Sequence, residues 1–185
     1  DTTKLKQLSH KLVMLLALIT GQRAQTLHAL NTGDMFVGEE EVTFYIHTPL
    51  KTVDRLELKF SVYKDANLCI VRLIKDYVNR TQMIRSTHAG QLLISYVQPH
   101  GPVSRDTVRR WILETMRLAG VDTSRFKAHS TRAASTSAAL RKQVPVQDIM
   151  KAASWRREST FTRFYRKDVE EQNVVQYAHR VLDLD

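Results

Sequence analysis

Residues 12–23 read LVMLLALITGQR, an apolar run that ends at Gly21 and is followed by a glutamine and an arginine. Apolar residues recur through this region at intervals of three and four, which is the period of an α-helix: Leu5, Leu8, Leu12, Leu15 and Ile19. Because positions 12–19 are apolar on nearly every side, we expect this helix to be buried in the core. The glycine interrupts it, and a second helical stretch is expected from about Arg23 to Leu30.

Downstream of these helices the period changes to that of a β-strand. Apolar residues alternate with others in two short segments, 42–46 and 56–60. The stretch between them is mostly polar, so the pattern predicts a β-hairpin with Lys51 at or near its tip. Residues 92–94 are apolar and are compatible with either a short strand or a buried connector.

The rest of the chain is predicted to be helical. Ser104 is a suitable N-cap for a helix over 105–119, whose buried stripe is expected to be Val108, Trp111, Ile112, Thr115 and Ala119. Other helices are predicted at about 67–80, from Ser130, from Pro145, around 161–165 and over 174–181. No repeat or linker interrupts the pattern. We therefore predict one domain, mainly α with a small antiparallel β-sheet (α+β).

The charge balance favours a nucleic-acid partner. The 185 residues include 28 Lys and Arg against 19 Asp and Glu, a formal net charge of +9, which predicts attraction to polyanions. The single Cys69 excludes an internal disulfide and nearly excludes a cysteine-based zinc site, which fits an intracellular protein. The apolar run 12–19 is shorter than the roughly 20 residues that span a bilayer, so no membrane partner is expected.

Five short segments carry side chains suited to phosphate chemistry: 20–23, 50–52, 128–132, 154–155 and 162–165. In chain order they supply an arginine, a lysine, a His-x-x-Arg pair, a tryptophan and a tyrosine. This ordered set resembles the catalytic domain of the tyrosine recombinases, also called phage-type integrases. That family orders its catalytic residues as Arg, Lys, His-x-x-Arg, His or Trp, and Tyr. The matching positions are Arg23, Lys51, His129, Arg132, Trp155 and Tyr165.

The resemblance implies that the chain cuts and rejoins DNA, in site-specific recombination or integration, through a covalent 3′-phosphotyrosyl intermediate. Tyr165 would be the nucleophile, while Arg23 and Arg132 would clamp the non-bridging phosphate oxygens, since arginine is always charged and bonds them in pairs. His129 would act as a base or phosphate donor, and Lys51 would protonate the departing 5′ oxygen. Neither a metal nor another cofactor is expected. Trp155 would donate its indole N–H to the phosphate or pack against the helix of Tyr165.

The resemblance also implies partners for other parts of the chain. Double-stranded DNA would contact a set of basic residues: Arg105, Arg109, Arg117, Arg141, Lys151, Arg156 and Arg157. The helix at 169–182 would dock in cis or on a neighbouring protomer, in a homo-oligomer that is a tetramer on DNA. The family's N-terminal DNA-clamping domain is absent from residues 1–185, all of which are assigned to one catalytic domain.

Two features are more similar to recombinases of eukaryotic mobile elements, such as DIRS-like retrotransposons or cryptons, than to bacterial ones. They are the sequence Pro-Leu-Lys-Thr at 49–52 and the tryptophan at position 155. That origin implies transposition in the nucleus, whereas any other origin implies the cytoplasm. One departure concerns Thr26, which stands near the place where the family commonly has an acidic residue that supports the site.

Each matching residue also has an ordinary structural explanation. Arg23 and Lys51 suit a solvated surface (with Lys59 or Lys64 as substitutes for the hairpin lysine), His129 suits a helix cap, Arg132 an ion pair with Asp148, and Trp155 the core. Tyr165 could simply pack against neighbouring residues. In that case the nucleophile would be Tyr177 or Tyr63, or the chain would have no nucleophilic tyrosine. Two functional alternatives follow: a catalytically silent DNA-binding or assembly module, and a type IB topoisomerase that relaxes DNA.

Overall fold

The apolar helix predicted near the N-terminus is α1 (Thr2–Thr20), and four of the later helices pack against it. The structure, a computed structural model, describes residues 2–47, 55–85, 90–155 and 157–165, without the side chains of residues 160 and 163–165. The later helices are α2 (Ala24–His28), α3 (Ile70–Thr81), α4 (Arg105–Leu118), α5 (Ser130–Arg141), α6 (Val146–Ala152) and α7 (Glu158–Tyr165). The strands are β1 (Met35–Val37), β2 (Glu41–Ile46) and β3 (Leu56–Ser61).

The middle of α1 forms the centre of the core. Leu12, Val13 and Leu16 are fully buried, and the helix contacts α2, α3, α4 and α5. Burying one leucine side chain stabilises a fold by about 1.5–3 kcal/mol, so α1 is the main scaffold for the elements around it. The last turn departs from the prediction, because Leu18 and Ile19 are 42% and 45% exposed. The buried face of α1 is therefore narrower at its C-terminal end than the sequence indicated.

The predicted hairpin is confirmed as β2 and β3, which pair antiparallel with Phe44 opposite Leu58 and Val42 opposite Phe60. These four side chains are buried, and the rings of the two phenylalanines meet edge to face at 6.4 Å. Strand β1 was not predicted, because it has three residues and none of them is buried. The hairpin loop that contains Lys51 lies outside the described residues.

Helix α4 begins where the sequence predicted, because the Ser104 hydroxyl accepts a hydrogen bond from the Thr107 backbone N–H at 3.1 Å. Its buried stripe was partly wrong. The buried residues are Val108, Trp111, Ile112 and Met116. Thr115 is half-buried, with its hydroxyl bonded to the Trp111 carbonyl, and Ala119 is exposed just after the helix. Met116, the next residue after Thr115, is larger and apolar and is buried in the core instead.

The connections differ from the predictions in smaller ways. Helix α3 begins three residues later than expected, after a turn in which the Asn67 N–H bonds to Asp65. A one-turn 3₁₀-helix, Gln82–Ile84, follows α3 directly. Residues 92–94 form a buried connector, and the predicted helix at 174–181 lies outside the described residues. Among the described helices, none has the length and hydrophobicity needed to cross a membrane. The mainly α fold with a small antiparallel sheet is confirmed.

A buried histidine lies at the interface between α1 and α4. The ring of His10 packs against those of Tyr96 and Trp111 at 5.9 and 5.7 Å, and its Nε2 lies 3.5 Å from a carboxylate oxygen of Glu114. Burial lowers the pKa of His10, and the opposing attraction of the Glu114 carboxylate is the smaller effect. The native state therefore favours the neutral imidazole.

We expect this histidine to make folding stability depend on pH. Because its pKa is lower in the native state than the value of about 6.5 in an unfolded chain, the unfolded state binds more protons in mildly acidic solution. The free energy of unfolding is therefore unaffected by His10 above about pH 6.5, and it falls as the pH drops below that value. Between pH 7.5 and pH 5.5, the free energy of unfolding measured in urea should therefore fall more for the wild-type chain than for His10→Gln. Equal losses in the two proteins would contradict this assignment.

Candidate active site

Two tight turns meet beneath a surface cleft, one between α1 and α2 and the other between α6 and α7. Gly21 in the first turn has φ 58° and Ser154 in the second has φ 54°, so both adopt the left-handed conformation. Glycine adopts it without steric cost. The two turns also lie in contact, since a Cβ atom on Gly21 would stand 3.2 Å from that of Ala153. A glycine is therefore needed there for its conformation and for its small size.

Arg132 lies at the start of α5, and its side chain bonds to both of these turns. Its side chain is 5% exposed, and its Nη1 donates hydrogen bonds to the backbone carbonyls of Gly21 and Ala153. Burying a charge is costly unless hydrogen bonds compensate it, and carbonyls at the ends of helices lack partners within their own helix. The carbonyls therefore compensate the buried charge, and the guanidinium supplies the hydrogen-bond donor that the carbonyls lack. The guanidinium is held in one place by backbone from two distant parts of the chain.

Trp155 brings the two predicted phosphate-binding arginines to one aromatic ring. The Cζ atom of Arg132 lies 4.2 Å from the indole ring centroid, and that of Arg23 lies 5.9 Å from it. Both distances are within the range of a cation–π interaction. Behind the indole, the buried ring of Phe161 from α7 packs against it edge to face at 6.1 Å. The indole thus links the start of α2, the first turn of α5 and the middle of α7.

The cleft above these residues is strongly basic. It has a volume of about 460 Å³, and its charged or titratable lining residues are Arg23, Arg105, Arg109, His129 and Arg132. Within the described part of the chain, no Asp or Glu lines it. The nearby Asp106 approaches Arg109 at 3.4 Å, but both side chains are exposed, and such pairs contribute little. The arrangement is suited to binding a polyanion.

The structure places the predicted catalytic residues in two groups. Arg23, His129, Arg132 and Trp155 all line the cleft. Lys51 lies outside the described residues. Tyr165 is the last residue of α7, but its side chain lies outside that description, so its position relative to the cleft stays a prediction.

The predicted DNA-binding residues are also divided. Arg105 and Arg109 line the cleft from α4. Four others are exposed elsewhere on the surface and are not among the cleft-lining residues: Arg117, Arg141, Lys151 and Arg157. Of these, Lys151 lines a second groove, between β3 and α6. Arg156 lies outside the described residues.

The helix-cap explanation for His129 is only half right. The residue occupies the N-cap position of α5, but its side chain makes no capping hydrogen bond and is exposed at the cleft. Arg23 has the same relation to α2, where it precedes the first helical residue. Both side chains therefore extend from helix N-termini into the cleft, where the backbone N–H groups add partial positive charge.

Gln22 was not predicted from the sequence. This side chain is 3% exposed, and its Nε2 donates hydrogen bonds to the Ala152 carbonyl at 2.7 Å and to the Ser154 hydroxyl at 2.8 Å. Its Oε1 accepts a hydrogen bond from the Thr26 hydroxyl at 3.2 Å. Thr26, at the place where the resemblance leads one to expect an acid, is therefore part of a neutral buried network. No local pattern marks Gln22, because its main partners are 130 and 132 residues away.

Solved structures with the same fold include two recombinases and an integrase. The XerH recombinase bound to a palindromic difH substrate, in a post-cleavage complex, aligns with a TM-score of 0.67 at 14% identity, over 95% of this chain and 51% of that one. XerA recombinase gives 0.65 at 14% identity, over 95% and 60%. A lambda integrase tetramer bound to a Holliday junction gives 0.58 at 17% identity, over 84% and 45%. The chain thus spans about half the length of these proteins, and identities this low establish the shared fold alone.

Sequence comparison gives the family. The profile of the phage integrase family matches residues 1–171, and the chain therefore belongs to that family. The resemblance seen in the ordered motifs is confirmed at this level. Among curated proteins, no sequence match was found.

The contact between the two turns can be tested with a pair of glycine variants. Alanine in the left-handed conformation costs about 1–2 kcal/mol, and both Gly21 (φ 58°) and Gly120 (φ 79°) adopt it. Only at Gly21 does the added methyl also meet a neighbour, Ala153, whereas nothing lies within 4 Å at Gly120. Urea unfolding should show that Gly21→Ala loses at least about 1 kcal/mol more than Gly120→Ala, because of the crowding. Equal losses would mean that the turns are not in tight contact.

Proposed function

We propose that this chain cleaves and rejoins DNA strands through a covalent 3′-phosphotyrosyl intermediate, in site-specific recombination or integration. The observation that carries the proposal is the position of Arg23 and Arg132 against one indole ring, in a basic cleft that His129 also lines. The ordered motif and the family membership supply the reaction class. The proximity of Arg23, His129, Arg132 and Trp155 supports the proposal that these residues act together.

The two arginines suit the charge that develops during displacement at phosphorus. Negative charge builds on the non-bridging oxygens, and donors that are already oriented stabilise it without further reorganisation. Arg132 is oriented by the Gly21 and Ala153 carbonyls, and Arg23 projects from the adjoining turn. Both guanidinium groups lie within cation–π distance of the same indole. A phosphodiester in the cleft would therefore be able to receive hydrogen bonds from both arginines.

Tyr165 is the proposed nucleophile. Helix α7 begins three residues after Trp155 and packs Phe161 against the indole, and Tyr165 is one helical turn further along. In the reaction, the Tyr165 oxygen forms a bond to phosphorus as the bond from phosphorus to the 5′ oxygen breaks. His129 accepts the phenolic proton or donates to the phosphate, and Lys51 protonates the departing 5′ oxygen. Attack by a 5′ hydroxyl reverses these steps, releases the tyrosine and rejoins the strand.

Contacts outside the reaction centre would hold the duplex. Arg105 and Arg109 lie four residues apart on one face of α4, at the rim of the cleft, and are proposed to bind the backbone phosphates beside the cleavage site. Further backbone contacts are proposed for Arg117, Arg141, Lys151 and Arg157, which are exposed away from the cleft, and for Arg156, which lies outside the described residues. Such contacts position a duplex but do not read its sequence.

The larger assembly is also a proposal. We propose that residues 1–185 form a single catalytic domain that acts beside a separate DNA-clamping domain, since the matched recombinases are about twice as long. Residues 169–182, which lie outside the described residues, would dock on a neighbouring copy to form a tetramer on DNA. The lambda integrase tetramer on a Holliday junction supports the tetrameric state. A role in eukaryotic mobile-element transposition, and with it a nuclear location, rests on the 49–52 and Trp155 resemblance alone.

Covalent capture tests the nucleophile. Because the target sequence is not known, the chain is incubated with a pool of nicked duplexes of randomised sequence and separated on a denaturing gel. The wild-type chain and Tyr177→Phe should form a protein–DNA adduct, and Tyr165→Phe should form none, because it lacks the attacking oxygen.

Each other outcome has a defined meaning. An adduct that survives Tyr165→Phe would exclude this nucleophile. DNA binding without any wild-type adduct would contradict cleavage and favour a silent binding or assembly module. An active chain that relaxes supercoiled DNA but never joins two duplexes would instead be acting as a type IB topoisomerase.

The α4 contacts can be tested through the salt dependence of binding. Each lost phosphate contact should lower the slope of log Kd against log salt concentration by about 1. Arg105→Ala and Arg109→Ala should each show this decrease in fluorescence anisotropy titrations with a labelled duplex. Arg80→Ala is the matched control, because Arg80 is an exposed arginine paired with Asp76 on α3. A slope that is unchanged in both α4 variants would show that this rim does not bind the backbone.

A further inference from the structure

Gln22 makes a second connection between the two turns that carry Arg23 and Trp155. Its amide Nε2 bonds to the Ala152 carbonyl and to the Ser154 hydroxyl, on either side of the Ala153 carbonyl that Arg132 holds. Three consecutive residues, the last of α6 and the first two of the turn that follows it, therefore accept hydrogen bonds from side chains elsewhere in the chain.

The two ends of this connection each adjoin a cleft residue. Gln22 is followed directly by Arg23, and Ser154 is followed directly by Trp155. A change in the spacing of Gln22 and Ser154 would therefore move the Arg23 guanidinium relative to the indole that it faces at 5.9 Å. Ser154 is also in the left-handed conformation, at φ 54°, which serine adopts only when its surroundings hold it there.

The first turn is restrained in the same way. The Gln22 backbone N–H bonds to the Thr20 hydroxyl at 3.1 Å, and its side-chain Oε1 accepts from the Thr26 hydroxyl. An amide can do this because it has both donors and an acceptor, whereas a carboxylate in the same place would be repelled by the Ala152 carbonyl. The chemistry of the site therefore selects glutamine over glutamate.

We propose that Gln22 is a positioning residue that sets the distance between the Arg23 guanidinium and the Trp155 indole, and so the geometry of the two-arginine clamp. This role rests on the proposed function only for its catalytic consequence. Gln22 acts through its neighbours and is not itself placed in contact with DNA. Its loss should weaken the chemical step more than DNA binding, because binding draws on many phosphate contacts and cleavage depends on alignment.

The test uses Gln22→Leu, which keeps the approximate side-chain volume and removes every side-chain hydrogen bond, and Ser154→Ala, which removes one acceptor. At saturating DNA, the single-turnover rate of adduct formation should fall by about 10- to 100-fold in Gln22→Leu, with a smaller fall in Ser154→Ala. The dissociation constant for the same duplex should change by less than about threefold, since the α4 rim is intact. Gln91→Leu is the matched control, because it removes another glutamine-to-carbonyl bond, to Val103, outside the cleft lining.

A second readout does not depend on catalysis. The chain has two tryptophans, so 5-fluorotryptophan labelling gives one ¹⁹F resonance from the site and one from Trp111 in the core. Gln22→Leu and Ser154→Ala should shift or broaden the Trp155 resonance and leave that of Trp111 in place, which also shows that the fold is retained.

The outcomes separate this proposal from the proposed function. If the wild-type chain forms no adduct, the proposed function fails, and the ¹⁹F spectra still test the positioning role. An unmoved Trp155 resonance in both variants would overturn the proposal. So would a cleavage rate within about twofold of wild type at saturating DNA, a change too small for a lost alignment, or an equal loss in Gln91→Leu.

Discussion

The site depends on one interaction, the pair of hydrogen bonds from Arg132 Nη1 to the Gly21 and Ala153 carbonyls. Gly21 lies 111 residues before Arg132 in the chain, and Ala153 lies 21 residues after it. Without a buried donor between them, both turns would leave backbone oxygens without partners, and an unmet buried carbonyl costs about 1–3 kcal/mol. The arginine thus has a structural role in the same place where the proposed chemistry needs a fixed positive charge.

Several local features follow from this interaction. Gly21 must lack a side chain so that its turn can approach Ala153, and Ser154 must hold a left-handed conformation to direct the next residue back over the guanidinium. Trp155 then covers the face of Arg132 at 4.2 Å. Since the indole is also in reach of Arg23, the buried arginine determines where the more accessible one can lie. The cleft concentrates like charges, which repel one another until an anion binds.

Much of the scaffold could be predicted from the sequence because the patterns that indicate its helices and strands are local. The three- and four-residue spacing in α1, the alternation in β2 and β3, and the serine cap of α4 each depend on neighbours within a few residues. Strand β1 was missed because it is short and none of its residues is buried, so it has no apolar alternation. The place of Met116 in the core was missed because the packing of α4 against other helices decides which side of its apolar stripe is covered.

The candidate site was predictable only in part, and for a related reason. The order of motifs identified Arg23, His129, Arg132 and Trp155, which the structure brings to one cleft. It could not identify Gln22, since an isolated glutamine has no periodicity and its partners are far along the chain. Nor could it distinguish Arg105 and Arg109 at the cleft from Arg117 further along the same helix, because all three are exposed arginines in one helical stretch.

A crystal structure of Tyr165→Phe bound to an uncleaved duplex, selected from the randomised pool, would show directly whether the two arginines bind one phosphate. We expect one phosphate whose oxygens lie about 2.7–3.2 Å from nitrogens of both Arg23 and Arg132, with the bonds from Arg132 to the two turns retained. Arginines bound to two different phosphates, or an Arg132 that contacts only protein atoms while DNA occupies the cleft, would contradict this expectation.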